Sequence, residues 1–146
     1  MSKISGAVRD RIDIQCEISA LSFEDISKAA PGEPSAAIRE RVIKARAIQE
    51  KRFGSLPKGS AGRIHCNAQM TERMIHQYAE PDAKSLELLR LGMERLKLSA
   101  RAYNRILKVA RTIADLDNSE RVQSHQNAEA IGYRNLDRGD WAERGM

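Results

Sequence analysis

Apolar residues recur along this chain at helical intervals, and the clearest run is 99–117, SARAYNRILKVARTIADLD. At 3.6 residues per turn, Ala102, Ile106, Val109, Ala110 and Ile113 fall on one side, flanked by Leu107 and Ala114. Arg101, Arg105, Lys108 and Thr112 line the opposite side at i, i+4, i+7 and i+11. Ser99 can cap the first turn through its hydroxyl, and Asn118 can end the helix. One helix therefore offers an apolar stripe to a core and a cationic stripe to something else.

The same pattern predicts the elements around it. Pro34 precedes a helix from about Ser35 to Phe53, with Ile38, Val42, Ala45 and Ile48 as its stripe and Gly54 as its stop. A second helix begins at Asn67 or Thr71 and runs to Tyr78, burying Met70, Met74 and Ile75, with His76 beside the core as a structural residue. Pro81 suits the entry to a third, Asp82 to Lys97, striped by Leu86, Leu89, Met93 and Leu96. The short turn that follows predicts antiparallel packing of this helix on 99–117. A last helix, about 124–133, uses Ala128, Ile131 and Leu136. Near the start, Ile12, Ile14, Cys16 and Ile18 alternate with polar residues, which predicts a β-strand. No second strand pattern follows, so its sheet is expected outside the chain. The fold expected is all-α: a bundle of four to five helices preceded by one short orphan strand. Residues 19–34 read as a linker, 35–138 as the helical domain and 139–146, with Trp141, as a flexible tail.

Composition supports helices. Of 146 residues 41% are hydrophobic but only 4% aromatic, so the core must come from Ile, Leu, Val, Ala and Met. The 25 basic and 20 acidic residues give a formal charge of +5, a bias that suits phosphate without specifying it. No long apolar run marks a membrane span and no apolar leader opens the chain, so a cytoplasmic protein is expected. Cys16 and Cys66 are widely separated and outside any C-x-x-C pair. His65 beside Cys66 lacks further ligands, so no metal site is expected.

Self-contained chemistry is missing. No G-x-S-x-G or H-E-x-x-H pattern occurs. Gly54 and Gly59 have the spacing of a phosphate loop, but Ser60 stands where its lysine belongs, and a helix precedes the segment in place of a strand. Without a phosphate cradle or a metal-binding acid, the chain by itself is not expected to act as an enzyme. Two arginines could serve a site completed elsewhere: Arg11, just before the predicted strand, and Arg101, in the first turn of the 99–117 helix. A guanidinium is always charged and forks onto phosphate oxygens. The alternative is a stand-alone basic helical module that binds DNA phosphate through Arg105 and Lys108, beside Arg101.

Four stretches carry a family resemblance. KISGAVRDRIDIQCEI resembles a motif of the Mg-chelatase-like AAA+ ATPases, approximately I-S-G-P-L-L-D-R-I-D-I-x-x-E-[VI]. PSAAIRERVIKARAIQ resembles the helix that follows, LSARAYNRILKVARTIADL the family's next signature, and EAIGYRNLDR its C-terminal E-A-[IL]-x-Y-R-x-L-D-R. The resemblance spans nearly the whole chain, in order. It implies that residues 1–18 end an ATPase core and that the helices form the lid over its nucleotide. Arg11 would be the arginine finger, presented in trans to ATP on a neighbouring subunit, and Arg101 the second sensor. ATP and Mg2+ would be bound by the longer parent protein, not by this segment alone. The implied partners are the remainder of that core and further copies in a homo-oligomeric ring, expected as a hexamer. A competence member of the family drives branch migration, which makes DNA the expected substrate. Where the family has Pro-Leu-Leu, this chain has Ala7-Val8-Arg9, which alters the loop carrying Arg11. Everything upstream of that motif is absent, so the chain reads as a C-terminal segment.

Overall fold

The computed structural model describes residue 8 and residues 11–16, 18–28, 30–54 and 63–134. Among these the chain is helical, with six α-helices: α1 (Phe23–Ser27), α2 (Ser35–Gly54), α3 (Glu72–Tyr78), α4 (Ala83–Leu96), α5 (Ala100–Leu116) and α6 (Ser124–Gly132). A 3₁₀ turn, Asn67–Gln69, precedes α3. The all-α expectation holds, with one more helix than the four to five expected, α1 lying within the stretch read as linker.

Local chemistry sets the ends. Asp82 caps α4 by accepting from the Ser85 amide at 2.7 Å. Ser99 caps α5, its hydroxyl accepting from the Ala102 amide at 3.2 Å. At the other end of α5, Asn118 takes a left-handed conformation, φ 55°. The Ser119 amide then donates back to the Ala114 carbonyl at 2.8 Å and the Asn118 amide to Asp115 at 3.2 Å, closing the carbonyls of the last turn. Capping and stop at both expected residues are therefore realised.

The predicted strand is not. Residues 11–16 run without strand pairing, and the apolar side of the pattern is exposed, Ile18 at 91%. Among the described residues there is no second extended segment to supply ladder hydrogen bonds, so alternation alone makes no strand. The stretch lies instead across one end of the bundle, where the Gln15 amide donates to the Tyr133 carbonyl at 2.9 Å.

The core gathers Phe53, Met70, Ile75, Leu89, Ile106, Leu107 and Val122 around alanines 79, 110, 114 and 130. Small residues on α5 let neighbouring backbones approach closely. α2 packs on α5 only through its C-terminal half: Ala45, Gln49 and Phe53 are buried, whereas Ile38, Val42 and Ile43 are exposed. Half of the expected stripe thus has no cover among the described residues. α4 and α5 do not form the expected antiparallel pair. Instead, α6 packs against both. Gly92 lies at this contact, where a Cβ would sit 3.1 Å from the side chain of Ile131 of α6, closer than ordinary van der Waals contact. Leu86 is correspondingly exposed, and Ala128 faces outward while Ala130 is buried. His76 is also exposed, away from the core its neighbour Ile75 enters. Leu136, Trp141, the 139–146 tail and the Gly59–Ser60 part of the rejected glycine pattern lie outside the described residues.

Candidate functional site

The cationic stripe of α5 forms one wall of a cleft of about 260 Å³, lined by Asp13, Ala68, Arg101, Asn104, Arg105 and Lys108. Arg101 is exposed, in the first turn of α5 just beyond the Ser99 cap. Arg105 donates through Nη1 to the Arg11 carbonyl at 3.0 Å, 94 residues away in sequence. The same nitrogen pairs with Asp13 Oδ1. Lys108 donates to the Ala68 carbonyl at 2.8 Å, tying α5 to the 3₁₀ turn. Burial holds the Lys108 ammonium below the ordinary lysine range, with Arg105 acting in the same direction and Asp13 and Cys66 opposing. Three cations against one carboxylate make this a place where an anion with several oxygens can be held.

Arg11 is exposed, and its backbone meets the stripe through Arg105. The structure thus brings Arg101, Arg105 and Lys108 into one cleft and attaches the Arg11 segment beside it. Arg105 and Lys108 have internal partners there.

Three further arginines, Arg134, Arg111 and Arg52, were not singled out by sequence reasoning. Arg134, fully buried, donates to the Ile12 carbonyl, so the motif near the C-terminus holds the motif near the N-terminus. Only the pairing of these two stretches in the family signature hints at it. Arg111 interrupts the apolar side of α5, between Leu107 and Ala114, and is buried with Asp115 one turn on. A charged i, i+4 pair inside an apolar arc is the signal that could have found it. Asp115 accepts from Arg52 at 2.8 and 2.5 Å, from Asn67 at 2.7 Å and from Arg111 at 3.1 Å. Arg111 also donates to the carbonyls of Ser119 at 2.6 Å and Glu120 at 2.9 Å. Burial lowers its pKa and Asp115 raises it. Arg52 completes the joint by lying over the rings of Phe53 and Tyr78, 5.7 and 5.8 Å from their centroids.

Both free thiols stand apart, Cys16 exposed and Cys66 half-buried. No three His, Cys, Asp or Glu side chains cluster among the described residues. No helix among them is long and apolar enough to cross a membrane.

The N-terminal segment is thus docked on a helical bundle, beside a cleft whose two arginines, Arg101 and Arg105, both come from α5. Residues 32–134 match the family model described as magnesium chelatase, subunit ChlI C-terminal. The chain belongs to that family. It is 36% identical over 135 residues to competence protein ComM of Haemophilus influenzae, covering 92% of this chain and 25% of the relative. It is also 36% identical over 139 residues to the protein YifB of Escherichia coli K12, covering 94% of this chain and 26% of the relative. The chain therefore spans about a quarter of the length of these relatives and corresponds to their C-terminal part.

Proposed function

We propose that this segment is the lid of a cytoplasmic AAA+ ATPase and that the α5 cleft takes the terminal phosphates of ATP. The observation that carries this reading is the cleft itself, where exposed Arg101 lies with Arg105 and Lys108 on one wall and Asp13, of the D-R-I-D motif, on another. Arg101 acts as the second sensor. Arg11 acts as the finger, reaching ATP on the next subunit of a homo-oligomeric ring, a hexamer. The remainder of the core would bind ATP and Mg2+. During phosphoryl transfer negative charge shifts onto the leaving phosphate oxygens, and a fixed guanidinium lowers the energy of that state more than of bound ATP. The closing of a lid also excludes water from the site, which strengthens the interaction.

In the full-length ATPase, Arg11→Ala or Arg101→Ala should each lower ATP turnover, by roughly 10³-fold for a true finger. Turnover near wild type in either variant removes that arginine from the mechanism. DNA, as the substrate moved by the ATPase in branch migration, is supported by the resemblance to a competence protein. Duplex stimulation of turnover, lost at high salt, would test it. The stand-alone DNA-binding alternative draws less support, because Arg105 and Lys108 would have to leave internal partners to reach DNA phosphate.

A further inference from the structure

The bonds of Arg105 raise a question its place on a cationic stripe does not: why a residue facing a candidate phosphate cleft spends a nitrogen on the backbone of residue 11. Arg105 Nη1 donates to the Arg11 carbonyl at 3.0 Å. It also pairs with Asp13 Oδ1, two residues further on. Both acceptors flank the residue read as the finger, one on its own carbonyl and one just after it. Further along, the Gln15 amide donates to the Tyr133 carbonyl at 2.9 Å, and Arg134 donates to the Ile12 carbonyl. Residues 12–15 are thus fixed by the end of α6, and residues 11–13 by α5.

We propose that Arg105 and Asp13 form a clamp that positions Arg11, making Arg105 a positioning residue for the finger. The proposal rests on the reading of Arg11 as a finger. Physically, a loop side chain on a long flexible stem loses most of its catalytic worth unless its backbone is fixed, since placement within an ångström governs transition-state contact. A guanidinium suits the task because the two hydrogens of Nη1 are fixed in its plane and can meet a carbonyl and a carboxylate together, whereas an ammonium imposes no such plane. The clamp also joins two subunit sites. Arg101 and Arg105 lie one helical turn apart on α5, so a shift of that helix when its own cleft fills would be passed to the Arg11 segment that serves the neighbour.

The test uses three variants of the full-length protein. Asp13→Asn keeps every cation of the cleft, Arg105→Lys keeps the charge, and Arg11→Ala removes the finger. Asp13→Asn and Arg105→Lys should each lower kcat for ATP about tenfold and leave KM within about twofold, the signature of an interaction felt in the transition state. In the Arg11→Ala background Asp13→Asn should have no further effect, because it acts through Arg11. Full additivity of the two losses, or a wild-type kcat in Asp13→Asn, overturns the clamp while leaving the finger in place. Hydrogen exchange at the Arg11 amide, which donates to the Val8 carbonyl at 3.0 Å, provides a readout independent of activity. Loss of the clamp should speed it about tenfold in both Asp13→Asn and Arg105→Lys. Unchanged exchange in both overturns the clamp. Faster exchange with wild-type turnover in Arg11→Ala instead overturns the finger reading and retains the docking.

Discussion

Arg105 and Arg111 leave the same helix on different sides and are held in opposite ways. The side chain of Arg111 is 2% exposed, and its partner Asp115 is fully enclosed. Arg105 is 29% exposed and its partner Asp13 48%. Around Asp115, donors arrive from α2, the 3₁₀ turn and α5, and Arg111 spends further donors on the carbonyls after α5. A charge taken out of water is tolerated only when nearly all its hydrogen-bonding capacity is met inside. Such a group has nothing left to offer a ligand, and its work is to fix the angle at which α2 meets α5. Arg105, partly in water, makes its bonds to the Arg11 carbonyl and Asp13 through Nη1. The comparison teaches that partner saturation, more than charge, separates an arginine spent wholly on the core from one that keeps donors in reserve.

The sharpest way to break that comparison is Asp115→Ala. It leaves the guanidinium groups of Arg52 and Arg111 without their shared carboxylate, and loss of one member of a buried ionic group costs about 3–5 kcal/mol. The urea midpoint of unfolding should fall accordingly with little change in slope. A loss under about 1 kcal/mol would mean that water reaches the arginines and that the joint is not a saturated one. Asp115→Asn, which keeps the shape but removes the charge, should fall between the variant and wild type.

A smaller effect of opposite sign tests whether partners, and not polarity, are what burial demands. Ser85 is fully buried on α4, and its hydroxyl has no hydrogen-bond partner among the described residues. Ser85→Ala removes an unpaired polar atom, and alanine is the better helix former. The expected result is a gain of up to about 1 kcal/mol in the same urea measurement. A loss would show that the hydroxyl has found a partner, such as an internal water.

How much of this could be read beforehand follows from what kind of interaction places each residue. The 99–117 helix was legible down to its cap and stop, because periodicity and capping are local. The four linked motifs made the family legible too. The path of residues 11–16 was not, since alternation of Ile12, Ile14 and Cys16 carries no information about the absent partner strand or about the Tyr133 carbonyl that takes the Gln15 amide. Arg111 was not legible, because its burial depends on acceptors that the helical spacing of α5 does not reveal, the carboxylate of Asp115 and the carbonyls of Ser119 and Glu120. The two residues that converge with Arg111 on the carboxylate, Arg52 and Asn67, lie far from Asp115 in the chain, 63 and 48 residues away. The exposed half of α2, with Ile38 and Val42, is the converse case: a stripe gives a direction for burial, not the surface that covers it.

The smallest expected effect closes the comparison from the other side. Arg101→Ala alters an exposed residue within the first turn of α5, where a cation gains nothing from the helix dipole. Alanine also has the higher helix propensity. Stability should therefore stay within about 0.5 kcal/mol of wild type. The same substitution removes a guanidinium from the cleft wall, so the proposed loss of turnover would occur in a protein that is equally stable. That pairing is the opposite of Asp115→Ala, where the fold suffers first. If Arg101→Ala instead costs 2 kcal/mol or more in unfolding (about the scale of a broken buried network), Arg101 belongs with Arg111 among the arginines spent on the fold. The cleft would then lose its most accessible cation, and with it the reason to read Arg101 as a sensor.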